Sequence, residues 1–178
     1  MVETLAEALK KTKPFASREE EVVLALQHVS ARIIEPWALF LKAKAQLTPS
    51  QYNVLRILRG ARPARLPSSE IGRRLVARDP DVTRLVDRLA DRGLVDRARE
   101  SRDRRVVEVG ITVEGLAVLK QLDPAVQRFP KAMLGRVGAK RVGQLAVLLQ
   151  DVLGSLGTFP DAGQDYVKGP GGGTGAGK

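Results

Sequence analysis

Apolar residues recur at helical spacing along most of the chain, and the period shortens to two in one brief stretch. Ser17 is followed three residues later by Glu20, the pattern of a capping box. Behind it Val22, Leu26, Val29, Ile33, Trp37 and Phe40 come at intervals of three or four. The spacing predicts one long amphipathic helix from about 18 to 45, kinked at Pro36. Residues 1–16 read as a flexible leader with some helical character.

Thr48-Pro49-Ser50-Gln51 is a second capping box, with proline at the first helical position. Its helix turns Tyr52, Leu55 and Leu58 inward and is expected to end near Gly60. Two prolines make Ala61 to Pro67 a loop, after which Ser68 or Ser69 caps a short helix carrying Ile71 and Leu75. In Asp79-Pro80-Asp81 the first aspartate is the expected cap, with Pro80 opening the next helix. Val82, Leu85, Val86 and Leu89 form its apolar stripe, and Thr83, Arg84, Asp87, Arg88 and Asp91 face the other way. Gly93 is a left-handed stop.

The period-two stretch follows. Leu94 to Ala98 and Arg105 to Ile111 read as strands joined by the polar turn 99–104, with Val107, Val109 and Ile111 alternating against Glu108 and Gly110. Thr112 caps a further helix, which Pro124 is expected to interrupt. From about Ala139 to Leu156 the chain is apolar on most sides, more than a protein this small can cover, so a second subunit is the economical partner. The Gly-rich residues 159–178 are expected to be disordered.

Composition narrows the chemistry. The chain has 178 residues, 43% hydrophobic but only 4% aromatic, so its core is aliphatic. It has no cysteine, which excludes disulfides, thiolate metal sites and thiol redox sensing. A single histidine, His28, argues against histidine-based catalysis or zinc, and no cofactor or metal is expected. The net charge of +10 favours an anionic partner. Between Arg56 and Arg105 stand fifteen arginines and no lysine against eight acids, a surplus of seven. Arginine's planar fork suits phosphates and guanine edges. No apolar run spans a bilayer and the first residues do not read as a secretory signal, so a cytoplasmic protein is expected.

A helix, a short helix, a helix with a basic outer face and a β-hairpin, in that order, make a winged helix-turn-helix. The expected fold class is mainly α with a small β-hairpin wing (α+β), with dimerisation helices at both ends. The residues Leu47-Thr48-Pro49-Ser50-Gln51-Tyr52-Asn53-Val54-Leu55, Val82 to Leu89, Gly93-Leu94-Val95, Asp103-Arg104-Arg105 and Ile111 to Gly115 resemble the MarR (multiple antibiotic resistance regulator) family. That resemblance implies an intertwined homodimer. It would consist of an N-terminal dimerisation helix (17–46), a DNA-binding domain (47–111) and C-terminal dimerisation helices (112–158). It further implies recognition helices in the major groove, wings in the minor groove, and repression relieved by a small phenolic or lipophilic ligand.

The expected DNA contacts are Ser69, Arg74, Thr83, Arg84, Arg88, Arg102, Asp103, Arg104 and Arg105. Thr83 and Arg84 would meet base edges or phosphates, and Arg88, Arg102 and Arg104 phosphates. The plainer alternative for the recognition helix is a solvated face with arginines paired to Asp87 and Asp91. By the family's Asp-x-Arg motif, Arg105 would enter the minor groove braced by Asp103. Ser69 would bond a phosphate or merely cap its helix. Asp81 either serves the helix end or accepts from a cytosine amino group, and the structural role is preferred. His28, Arg32, Trp37 and Tyr52 lie nearest an expected ligand pocket, although core packing is the more economical role for the aromatics. The competing function is a winged-helix interaction module that does not read DNA sequence. An enzyme is disfavoured, because no nucleophile stands beside a base and no Gly-rich phosphate loop is present.

Overall fold

The computed structural model describes residues 3–77, 79–99 and 107–156. Most of the expected wing turn, including Arg102, Asp103 and Arg104, the start of the expected second strand with Arg105, and the expected Gly-rich tail at 159–178 lie outside the described residues. The chain divides into two compact units, one through Phe129 and the other from Pro130 onward.

The first unit opens with helix α1 (Leu5–Ala8), closed by a complete Thr4–Glu7 capping box. Helix α2 (Arg18–Ala45) follows the expected span and contains Pro36. Its capping box is only half made. Ser17 accepts the Glu20 amide at 3.1 Å, but the Glu20 carboxylate takes the Ala16 amide rather than that of Ser17. Helix α3 (Pro49–Ala61) has the complete box: the Gln51 amide donates to Thr48 at 3.2 Å, and the Thr48 amide to Gln51 at 3.0 Å. Tyr52, Leu55 and Leu58 are buried on its inner face.

The expected loop before the short helix contains a strand, β1 (Leu66–Pro67). A two-residue edge strand tolerates proline because the missing amide has no ladder partner to lose. Helix α4 (Ser68–Arg74) begins directly after it, with Pro67 as N-cap and no capping side chain. The expectation that Ser68 or Ser69 caps this helix is therefore corrected: both stand inside its first turn. Helix α5 (Val82–Ala90) starts two residues later than expected for Pro80 at the first position, and its cap is Asp81, not Asp79. Asp79 instead accepts the Asp81 amide at 3.0 Å, a local turn that places Asp81 for capping.

Strands β2 (Val95–Arg99) and β3 (Val107–Ile111) pair antiparallel, Val95 opposite Ile111 and Arg99 opposite Val107, and β3 lies between β1 and β2. The simple alternation expected in β3 does not hold. Val109 and Gly110 are both buried and Val107 is exposed. Gly110 has no side chain of its own, and the side chains of Arg65 and Asp96 cover it.

Helix α6 (Val113–Leu134) begins where Thr112 accepts the Gly115 amide at 3.0 Å. It continues through Pro124, where an interruption was expected. Proline removes one helical hydrogen bond, but Leu119 and Leu122 before it are buried and Val126 beyond it packs on the core, so burial on both sides outweighs that loss. The core of the first unit is aliphatic as composition requires, built around Leu41, Leu55, Leu58, Ile71, Leu89 and Leu119.

In the second unit a 3₁₀ turn (Gly135–Val137) and Gly138, at φ +85°, lead into helix α7 (Ala139–Ser155). Leu145, Leu148, Leu149 and Leu153 on α7 are exposed in the single chain. No helix among the described residues is long and apolar enough to cross a membrane.

Candidate nucleic-acid interface

Helix α5 is two-sided. Leu85, Val86 and Leu89 are buried, and Thr83, Arg84 and Arg88 are exposed on the opposite side. The helix approaches α4 closely at Gly72, where a Cβ would stand 3.2 Å from Val82 Cγ2. Asp81 accepts the Arg84 amide at 2.9 Å, which satisfies one of the free donors at the helix start and places a carboxylate at the positive end of the dipole. That is the structural role preferred for Asp81.

The acids of α5 do not neutralise its arginines. Asp87 pairs with Arg97 of β2, and Arg84 and Arg88 form no ion pair among the described residues. The alternative of an internally paired face is not what these contacts show. On α4, Ser69 is exposed. Arg74 Nε donates to Glu70 at 2.7 Å, and Arg73 Nε to the other oxygen of the same carboxylate at 2.9 Å. The hydrogen bonds from Arg74 and then Arg73 hold the Glu70 carboxyl below the usual range.

The four residues expected near a ligand part company. Trp37 stacks on Phe40 at 5.5 Å, meets Tyr52 edge-on at 5.2 Å and lies 5.0 Å from Phe129 between ring centroids. Tyr52 is buried; its hydroxyl has no hydrogen-bond partner among the described residues, and burial raises its pKa. His28 is nine residues before Trp37 on α2, about 13 Å along the axis. Arg32 is exposed and reaches Glu3 at 3.9 Å. Trp37 and Tyr52 are thus brought together, and His28 and Arg32 are not part of their cluster. An open groove of about 900 Å³ at the end of α2 is lined by Leu39, Lys42, Gln46 and Thr48 among others, and by none of those four.

The description of a known family matches this chain: a MarR family model covers residues 45–106. The crystal structure of a MarR transcription factor from Planctomyces limnophilus is 37% identical and has a TM-score of 0.59, over 77% of this chain and 98% of that one. The chain belongs to the MarR family. A HTH-type transcriptional repressor of Bacillus subtilis, YetL, is 27% identical over 115 residues, 65% of this chain and 69% of the relative. A MarR family regulator from Streptomyces coelicolor, solved in complex with DNA, shares the fold with a TM-score of 0.69 at 20% identity, over 85% of this chain and 95% of that one. As a MarR family member this protein is a DNA-binding transcription regulator and not an enzyme.

Within that MarR frame, α4 and α5 are the helix-turn-helix and β2 and β3 the stem of the wing. Several residues that hold the frame were not singled out by sequence reasoning. Asn53 of α3 accepts the Val76 amide at 3.2 Å in the turn between α4 and α5. Arg92 donates to the Ala45 and Gln46 carbonyls, each at 2.8 Å, and so closes the end of α2. Arg59 Nη1 donates to both carboxylate oxygens of Asp123 on α6, at 2.9 and 3.0 Å, and Arg65 pairs with Asp96. Each joins residues far apart in the chain. For the three arginines the sequence signal was the excess of arginine itself, and Asn53 stood only as one residue of a quoted motif.

Proposed function

We propose that this protein acts in the cytoplasm as a homodimeric repressor that binds a pseudo-palindromic DNA site and is released by a small lipophilic or phenolic effector. The observation that carries the reading is the outer face of α5, where Thr83, Arg84 and Arg88 are exposed while the nearby acids Asp81 and Asp87 are engaged elsewhere. Such a face fits a major groove, with Thr83 and Arg84 at base edges or phosphates and Arg88 at a phosphate. Ser69 and Arg74 of α4 add backbone contacts. In the wing, Arg105 enters the minor groove braced by Asp103, and Arg102 and Arg104 add phosphate contacts that carry no sequence information.

Residues 17–46 and 112–158 dimerise, and 47–111 bind DNA. The exposed leucines of α7 support a second copy as partner. Two recognition helices then read half-sites about one helical turn, roughly 34 Å, apart. The repressor assignment draws on the name of the YetL relative. Trp37 and Tyr52, with its unpartnered hydroxyl, support an effector site of aromatic walls and a polar handle. His28 and Arg32 would join it only if the partner subunit or a rearrangement brought them near. An effector preferring a different spacing of the two helices lowers DNA affinity by its differential affinity for the two states.

The test selects binding sites from random duplexes and measures affinity over a salt series, with Arg84→Ala and Arg105→Ala beside wild type. A palindromic site, a steep fall with salt and a loss of about 1–3 kcal/mol for each variant are expected. Equal binding to all duplexes, or none, by a folded dimer would replace this reading with an interaction module.

A further inference from the structure

The first strand of the wing is tied to the rest of the domain on both of its faces. Consecutive residues of a strand point to opposite sides, and on β2 these are Asp96 and Arg97. Asp96 pairs with Arg65, which immediately precedes β1, on the far side of the central strand β3. The pair passes over Gly110, the residue opposite Asp96 in the ladder. A Cβ at Gly110 would stand 2.8 Å from Asp96 Oδ1 and 3.1 Å from Arg65 Cζ, so any larger residue would push the ends of the two side chains from where they meet. Arg65 Nη1 is buried there without a hydrogen-bond partner among the described residues, which leaves Asp96 as the group that holds this guanidinium. On the other face Arg97 pairs with Asp87, in the middle of α5.

We infer that Asp96 and Asp87 are positioning residues for DNA binding: Asp87 locks the stem of the wing to the recognition helix through Arg97, Asp96 locks it to Arg65, the residue that leads into β1 and α4, and together they set the distance between the two DNA-contacting elements. This rests on the proposed reading that α5 and the wing both touch DNA. Simultaneous engagement of two grooves needs a fixed offset between the elements that enter them, and a slack stem spends binding free energy on ordering the wing. Both pairs are partly exposed, so their contribution to folding stability is small. Their effect belongs to geometry.

Charge makes the test sharp. Removing a carboxylate from a DNA-binding protein strengthens binding by electrostatics alone; loss of a positioning acid weakens it. Fluorescence anisotropy with the selected duplex is measured for Asp96→Asn, Asp87→Asn and Gly110→Ala, which displaces the Asp96 pair without changing charge. Each is expected to bind roughly tenfold more weakly than wild type, the scale of a lost specific contact, with a melting temperature close to wild type. The exchange Arg65→Asp with Asp96→Arg is expected to restore most of the affinity. In an Arg105→Ala background, where the wing's own contact is gone, Asp96→Asn is expected to cost little more. Wild-type affinity in Asp96→Asn and Asp87→Asn overturns the inference and leaves the proposed function standing. Tighter binding overturns it as well, and marks Arg65 and Arg97 as DNA contacts held back by their acids. A wild-type protein that binds no duplex removes both.

Discussion

Glu70 holds two arginines of the helix that would cross the DNA backbone, with Arg74 on one carboxylate oxygen and Arg73 on the other. On the proposed reading this acid competes with phosphate for Arg74. Glu70→Gln is expected to raise affinity for any duplex and to steepen its salt dependence by about one or two counterions, with little change in sequence preference. Titration of affinity against salt checks this, and an unchanged slope would show that neither arginine reaches DNA. The pH dependence follows the lowered Glu70 pKa. The ion pairs are present above the ordinary carboxylate range and are lost as pH falls through the lowered value. The gap between wild type and Glu70→Gln is therefore constant near neutrality and closes only in acid. Sequence spacing placed Arg74 among the DNA contacts but could not show that Glu70, four residues earlier, had already claimed it.

At the scale of elements, a few backbone approaches decide how helices meet the sheet. A Cβ at Gly115 would lie 2.2 Å from the Leu94 carbonyl oxygen, where α6 begins against the start of β2. Backbone cannot yield as a side chain can, so Gly115→Ala is expected to destabilise the fold by about 1–3 kcal/mol or more, read as a shift in the urea midpoint. Gly60, near the end of α3, has nothing within 4 Å of its Cβ position. Gly60→Ala serves as the control, neutral or slightly stabilising. Equal effects of the two would refute the packing argument. Gly115 was legible as part of a motif, not as a contact, because the carbonyl it meets belongs to a residue twenty-one positions earlier.

For the whole molecule, the decisive feature is the apolar surface of α7. Leu148 is 61% and Leu153 70% exposed in the single chain. Leucines so placed on one helix are expected to be covered by a second copy. Leu149→Asp combined with Leu153→Asp is predicted to yield monomers in sedimentation velocity and to lower affinity for a two-half-site duplex far more than for a single half-site. A dimer that survives both substitutions would move the interface off α7.

What the sequence determined by itself is whatever depends on neighbours along the chain. Capping at Thr48, the left-handed Gly93 at φ +69°, the apolar stripe of α5 and the hairpin all follow from local stereochemistry and period. Even so, local rules misplaced a cap by two residues, from Asp81 to Asp79, because both can accept an amide and only the turn they form together chooses. Tertiary structure decided what distant residues do to one another. It carried α6 past Pro124 by burying residues on both sides, and it drew β1 out of a loop onto β3. It also gathered Trp37, Phe40, Tyr52 and Phe129 while leaving His28 and Arg32 apart. Periodicity says which face of an element is apolar. Which partner meets that face, and which acid takes which arginine, is settled only when the elements pack.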